Sequence, residues 1–225
     1  MKTFKYFLNG VLAGVLISIG SIANIACLAY DTNGVLKVFG AVLFSLGLLG
    51  VCFLKANLYT GKIGFIFEEH CKDYTIETFI GLLGNLVGAI LIASLFALLS
   101  GSLSATTTNI VNNKIDNFSI LSTLASSIFC GILIYLGVYL FKKVEHPLLK
   151  SLFIILCVTI FVIAGFDHCI ANAFYFMVYI MKAEFNPTLL LMLLIAICGN
   201  TIGSLLLYSL TKSLDVITNK EKIKK

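Results

Sequence analysis

Six long apolar runs dominate this sequence and limit what it can fold into. They lie at 7–29, 35–58, 77–100, 119–141, 148–181 and 186–211. A helix needs about 20 mostly apolar residues to cross the hydrocarbon core of a bilayer, and each run supplies them. Of the 225 residues, 59% are hydrophobic and 12% are charged, which would leave a water-soluble domain with large exposed apolar patches. The sequence therefore predicts an all-α integral membrane protein with six transmembrane helices, in a single domain over 1–225.

The basic residues predict how the chain is oriented in the membrane. All 16 are lysines, because the sequence contains no arginine. With the N-terminus inside, twelve lysines fall in cytoplasmic segments and only Lys37, Lys114 and Lys182 in external loops, which follows the positive-inside rule. We therefore expect both termini in the cytoplasm. A nucleic-acid partner is not expected, since such surfaces normally use arginine on a soluble basic face.

No residue pattern indicates catalytic or metal chemistry. The 7 cysteines stand singly, mostly inside apolar runs, without the paired spacing of a zinc site or a disulfide framework. No serine or cysteine has the base and orienting group that would make it a nucleophile. We therefore expect a protein that is not an enzyme and that uses no cofactor or metal.

The sequence contains a weak internal repeat, with halves at about 7–100 and 119–211. Three pairs of segments match in the same order, at offsets of 117, 115 and 115 residues. The pairs are Gly14–Gly20 with Gly131–Gly137, Ala56–Thr60 with Ala171–Tyr175, and Gly84–Gly88 with Gly199–Gly203. With three spans per half, the second half enters the membrane from the opposite side, which gives the inverted repeat of many transporters and channels.

Polar residues interrupt the second and fifth runs at membrane depth. The first interruption contains Lys55, Asn57, Thr60, Gly61 and Lys62, and the second contains Gly165, Asp167, His168 and Asn172. Non-helical backbone survives within a bilayer only where protein or a watery cavity satisfies its hydrogen bonds, so broken helices 2 and 5 predict one shared solute site. Polar residues also bridge packed helices, and this simpler role is favoured for Asn85 and Asn200.

Asp167 and His168 place an acid and an imidazole side by side in an otherwise apolar run. Ionisable groups inside a membrane usually face a cavity or a proton path, and histidine changes charge nearest physiological pH. Thr60, in the opposing break, is a candidate hydroxyl partner. The alternative is a neutral core histidine beside an aspartate that caps a helix end.

These motifs resemble those of the formate/nitrite transporter family. Leu58-Tyr59-Thr60-Gly61 is similar to the family's L-F-T-G loop, and the segment GFDHCIAN at 165–172 is similar to G-F-E-H-S-I-A-N. The Gly-Asn-x-x-Gly segments of the third and sixth runs match as well. The resemblance implies an aquaporin-like protomer in the inner (plasma) membrane, assembled as a homopentamer with a separate pore in each subunit.

The resemblance also implies a function: a channel or proton-linked transporter for a small monovalent anion or its conjugate acid, in the formate, nitrite or hydrosulfide class. His168 would be the central histidine of the pore. The substrate pathway is predicted to contain His168, Thr60, Asp167, Asn172 and Lys55. The apolar pore constrictions would fall on Phe44, Leu48, Leu58 and Phe161.

Two departures from the family pattern leave the solute open. Anion-conducting members carry a lysine shortly before the fourth span, but here that stretch is Phe118–Thr123, and Lys114 lies earlier in a predicted loop. Lys55, at the end of the second run, either reaches the membrane interface or adds positive charge to the pore. A channel for ammonia, ammonium or another small neutral solute is the alternative.

Overall fold

The computed structural model describes residues 1–30, 34–69, 72–183 and 185–223, with side chains as far as residue 215. Two of the lysines counted as cytoplasmic, Lys224 and Lys225, lie outside these ranges. Within them the chain forms nine α-helices, a 3-10 turn at Ile63–Phe65, and no strand. The helices are α1 (Lys2–Tyr30), α2 (Gly34–Phe53), α3 (Tyr59–Lys62), α4 (Lys72–Phe96), α5 (Ser102–Asp116), α6 (Ile120–Lys143), α7 (Pro147–Ile163), α8 (Cys169–Lys182) and α9 (Pro187–Ile223).

Five of the helices in the described part are long and apolar enough to cross a membrane: α1, α2, α4, α6 and α9. The fifth predicted span is divided instead between two shorter apolar helices, α7 and α8. Neither half could cross the hydrocarbon core alone, because a helix of 17 residues rises only about 26 Å. The count of six spans therefore stays a prediction, with α7 and α8 together in place of one continuous helix.

The helices pack in two matching groups. In the first, α1 lies against α2 and α4; in the second, α6 lies against α7 and α9, and α2 meets α7 between the groups. Glycines permit the tightest contacts, since a Cβ on Gly14 would collide with the carbonyl of Asn85. Likewise, a Cβ on Gly131 would collide with the carbonyl of Asn200. These equivalent contacts agree with the predicted offsets of 117 and 115 residues.

The two breaks have the same backbone geometry. Lys55 ends α2 with φ 53°, and Gly165 follows α7 with φ 72°, so both occupy the left-handed region. After each helix the chain forms a Schellman cap, in which the N–H of Ala56 donates to the carbonyl of Val51 (3.0 Å) and that of Phe166 to Phe161 (2.9 Å). The caps thereby satisfy the carbonyls of Val51 and Phe161 in the last turn of each helix.

The register of the repeat differs from the prediction at the breaks. Lys55 and Gly165 are 110 residues apart, as are Tyr59 and Cys169, the first residues of α3 and α8. The predicted match of 56–60 with 171–175 at offset 115 is therefore wrong. The physical reason is that the second half is longer between the break and its anchoring asparagine. Cys169 lies 31 residues before Asn200, whereas Tyr59 lies 26 residues before Asn85.

Helix α5 was predicted as a loop but is helical over Ser102–Asp116. It packs on α1 and α8 through a narrow face that includes Thr107 and Val111, both buried. Because residues three and four apart share one helix face, Lys114 follows on the same side. This helix brings a charged side chain to the break before α8.

Candidate functional site

Two asparagines hold the half-helices in place. Asn85 accepts a hydrogen bond from the N–H of Tyr59 (2.8 Å) and donates to the carbonyls of Gly10 (2.9 Å) and Asn57 (2.8 Å). The contacts with Tyr59 and Asn57 satisfy backbone groups of the break, and the contact with Gly10 ties the break to the interior of α1. Asn85 is fully buried, so no water replaces these partners.

Asn200 does the same in the second half. It accepts from the N–H of Cys169 (2.9 Å) and donates to the carbonyls of Ser127 and Asp167 (both 2.8 Å). The pair therefore does more than bridge packed helices, the role favoured from sequence. Both side chains fix where α3 and α8 begin.

His168 is the N-cap of α8, and this position determines its tautomer. Its Nδ1 accepts the N–H of Ala171 (3.2 Å), so the ring proton lies on Nε2. Nε2 lies 2.9 Å from Oγ1 of Thr60 and donates to it. The structure thus brings together the histidine of one break and the threonine of the other, with both side chains at most 2% exposed.

Apolar side chains surround this pair. The rings of Phe44 and Phe161 meet edge to face, with centroids 5.7 Å apart, and Phe161 stacks on the His168 ring at 5.9 Å. Leu48 and Leu58 are each 1% exposed. All four residues predicted for the constriction therefore lie in the core, and Phe44 and Phe161 close the approach to His168 directly.

A cavity of about 430 Å³ leads to His168 from one side; we call it the histidine vestibule. Phe44 and Phe161 line its inner end, Asn172 its wall, and Lys37 and Lys114 its charged part.

A second cavity, of about 460 Å³, lies on the other side of the constriction. We call it the lysine vestibule, because Lys55, Lys62, Lys142 and Lys150 line it. Leu58 also lines it, two residues before Thr60 in the chain. Lys55 is exposed within this cavity, a position compatible with the predicted charge contribution.

Asp167 is the hub of a polar network beside His168. Its Oδ1 accepts from Lys114 (2.6 Å) and from Asn172 (2.9 Å), and its Oδ2 accepts from Ser126 (2.8 Å). The carboxyl side chain is only 8% exposed, so the lysine offsets a charge that is largely removed from water. Helix α5 thus brings Lys114 to the second break, where Asp167 pairs with it.

The role of Lys114 is open from the sequence alone, because this residue lies in a predicted loop. The signal that could have placed it is the spacing of Leu103, Thr107, Val111 and Lys114, which recur every three or four residues. That period predicts a helix with one buried face ending in the lysine.

Asn57 fixes the position of the first break through hydrogen bonds to two neighbouring helices. Its Nδ2 donates to the carbonyl of Glu77 (2.6 Å) and its backbone N–H to that of Asn9 (3.1 Å), which tie the first break to α4 and α1. The side chain is 1% exposed.

Comparison with known proteins identifies the fold and the family. The sequence model of formate/nitrite transporters matches residues 1–214. The chain belongs to the formate/nitrite transporter family. The resemblance expected from the two break motifs is thereby confirmed, over nearly the whole chain.

Curated members of the formate/nitrite transporter family share about a quarter of their residues with this chain. Formate channel FocA of Haemophilus influenzae is 24% identical over 199 residues, covering 82% of this chain and 70% of the relative. The uncharacterized transporter YrhG of Bacillus subtilis is 28% identical, covering 86% and 78%. These relatives are channels and transporters, which confirms the prediction of a transport protein rather than an enzyme.

Solved structures of this family share the fold. A pentameric formate channel with formate bound superposes with a TM-score of 0.79 at 25% identity, covering 96% of this chain and 98% of that one. An ion channel of the same family gives 0.74 at 17% identity, covering 96% and 90%. The predicted all-α membrane channel fold is confirmed.

Proposed function

We propose that this chain is a pore for a small monovalent anion of the formate class, and that the solute crosses the constriction as its conjugate acid. The observation that carries the proposal is the hydrogen bond between Thr60 and His168 at 2.9 Å, buried between two vestibules. Membership of the formate/nitrite transporter family supports an anion channel.

The apolar constriction supports passage of a neutral species. Phe44, Phe161 and Leu58 offer no donor that could replace the water around an anion. Removing an ion from water without new partners is far more costly than removing a neutral acid, whose single O–H and carbonyl need few hydrogen bonds. A weak acid that gains a proton before the constriction avoids most of this barrier.

His168 is the group placed to hold the solute while it gains that proton from vestibule water, because a neutral imidazole donates a hydrogen bond but is far too weak an acid to give up its Nε2–H. A substrate oxygen arriving from the histidine vestibule would compete with the Thr60 hydroxyl for this hydrogen bond. Lys37, the unpaired lysine among the described residues that line the histidine vestibule, supplies positive charge there, while Asp167 pairs with Lys114 and holds Asn172 beside the break. These groups attract the anion and hold it where a proton is available.

The remaining parts of the proposal concern assembly and placement. We place the chain in the inner membrane as a homopentamer, on the model of the pentameric formate channel whose fold it shares. The lysine distribution supports cytoplasmic termini, with the lysine vestibule facing the cytoplasm and the histidine vestibule facing outward.

Stopped-flow flux in proteoliposomes tests the proposal. The solutes are formate, nitrite, hydrosulfide, acetate and methylammonium, each measured across a range of pH. We expect formate-class flux that rises as pH falls, and a loss of at least about tenfold with a flattened pH profile in His168→Phe. His146→Phe, on an exposed residue outside both vestibules, is the matched control. Methylammonium flux without anion flux would overturn the proposal in favour of the ammonium alternative.

A further inference from the structure

The lysine vestibule has a lining rich in positive charge, although a solute that crosses the constriction as a neutral acid requires none there. Four lysines line it together with one acidic residue, Glu77. Lys62 pairs with Glu77 at 2.9 Å, which removes one lysine from the count. Among the residues that the structure describes, no carboxylate lies within ion-pair distance of the other three lysines: Lys55, Lys142 and Lys150.

The positions of two of these ammonium groups are fixed by aromatic rings. Lys142 Nζ lies 3.7 Å from the centroid of the Phe65 ring, and Lys150 Nζ lies 5.0 Å from that of Phe141. A ring face attracts a cation without neutralising it, so the charge stays available to a ligand. Glu68 and Glu69 interact with Lys142 electrostatically from the nearby loop, at longer range than an ion pair.

The histidine vestibule is different. Lys114 is neutralised by Asp167 at 2.6 Å, which leaves Lys37 as the unpaired lysine among the described residues that line it. Three unpaired positive charges therefore face one mouth of the pore and one faces the other.

We propose that the lysine vestibule is an anion-binding chamber, formed by Lys55, Lys142 and Lys150, that gives the pore a lower half-saturation concentration on that face than on the histidine face. The proposal rests on the proposed function and adds a second binding region to it. Its ligand is a small monovalent anion, such as a carboxylate or nitrite, in its charged form. The anion remains hydrated there and takes up a proton from vestibule water only at the Leu58 side of the constriction.

Microscopic reversibility limits how far the transport kinetics can differ between entry from the two faces. At equal pH and zero membrane potential, a passive pore has the same ratio of maximal rate to half-saturation concentration in both directions. Tighter binding in the lysine vestibule therefore lowers both quantities for solute entering from that face. Export saturates at low solute concentration, whereas import stays proportional to concentration over a wider range.

The test compares right-side-out and inside-out membrane vesicles prepared from the same cells. We expect Lys142→Met to raise the half-saturation concentration for formate about threefold when formate enters through the lysine vestibule, since one charge at roughly 7 Å in water changes local concentration by that factor. Entry through the histidine vestibule stays unchanged, and Lys37→Met shows the opposite pattern. High salt abolishes both effects by screening.

Lys143→Met is the matched control, because this exposed neighbour of Lys142 bonds to Tyr139 and does not line the vestibule. Equal effects of Lys142→Met on both faces, or none on either, would overturn the inference while leaving anion transport intact. If the wild type carries no formate at all, the proposed function fails. Saturation-transfer NMR with labelled formate then tests whether the lysine vestibule still binds the anion. Binding that survives replacement of all three lysines by methionine contradicts it.

Discussion

Single polar side chains replace helix hydrogen bonds at the centre of this protein. Asn85 and Asn200 each satisfy one N–H and two carbonyls with three donor or acceptor sites of one amide. An amide suits this task because it both donates and accepts, whereas a carboxylate or an ammonium does only one. Their burial makes each contact hard to replace with water.

We expect Asn200→Ala to destabilise the protein by about 2 kcal/mol, because the buried N–H of Cys169 and the carbonyl of Asp167 lose their partner at once. Asn85→Ala is expected to have a similar effect in the other half. Thermal unfolding in detergent, followed by the reaction of a thiol dye with the buried cysteines, measures the loss. Asn117→Ala is the control, since its side chain bonds only to Asn113 at an exposed helix end. A loss no larger than that of the control contradicts the anchoring role.

The ion pair of Lys114 and Asp167 is expected to contribute to stability. Lys114→Met should cost about 3 kcal/mol of unfolding free energy, because it leaves a largely buried carboxylate without its cation. The double variant Lys114→Met with Asp167→Asn should cost less than the sum of the two single variants. The same unfolding assay measures all three.

The solvent-exposed ion pair of Lys2 and Asp73 is the control for the largely buried pair of Lys114 and Asp167. Their side chains are 79% and 57% exposed, so Lys2→Met should change stability by less than about 0.5 kcal/mol. Strictly additive losses at Lys114 and Asp167 would show that the two do not interact.

The sequence predicted which side chains meet at the constriction, but not what holds them there. Thr60 and His168 could be paired because both stand out as polar in apolar runs and because the repeat made the two breaks face each other. The partners of Asp167 could not be found in this way. Ser126 and Lys114 look ordinary in the sequence, and their role depends on how α5 and α6 pack.

The helix breaks are the elements that distinguish this fold from a bundle of straight helices. Each is a Schellman cap followed by an extended residue and a new helix start, Leu58 with φ −87° and His168 with φ −96°. The second half uses glycine at the left-handed position, and the first half uses Lys55 there. A side chain in this region is strained by about 1 kcal/mol relative to glycine.

Lys55→Gly should therefore stabilise the protein by about 1 kcal/mol, since glycine adopts φ 53° without a clash. Lys55→Ala is the matched control, because it removes the same charge but keeps the Cβ. Gly165→Ala should destabilise by about 1 kcal/mol for the converse reason. Melting temperatures of the purified variants measure all three. Equal stability of the glycine and alanine variants at position 55 would contradict the argument.

The apolar runs predicted the long helices well, because hydropathy over about 20 residues is a strong signal. The short elements were harder. Helix α5 has mixed composition, so hydropathy alone places it outside the membrane without showing that it is helical. The register at the breaks was misassigned because Ala-Asn pairs recur by chance, at Ala56 and Ala171, whereas the true equivalence of Lys55 with Gly165 has no residue in common.

The whole molecule has two mouths with different charge, and this bears on its orientation. Because positive residues are retained on the cytoplasmic side, the lysine vestibule is predicted to face inward together with both termini. Cysteine labelling in intact cells checks this. Asn117→Cys should react with a membrane-impermeant maleimide, and Glu145→Cys, in the exposed loop between α6 and α7, only after permeabilisation. The unmodified protein sets the background from its own cysteines, and the reversed labelling pattern would invert the assignment.

The two vestibules come close together, because Leu58 lines one of them, Thr60 lies two residues further on, and its hydrogen-bond partner His168 lines the other. Water filling both cavities would conduct ions, so the voltage across the membrane would fall mainly over the side chains that separate them. A charged solute would feel the full potential within a few ångströms, while a neutral acid feels none. By the proposed neutral-acid route, the pore would carry its solute without discharging the membrane voltage.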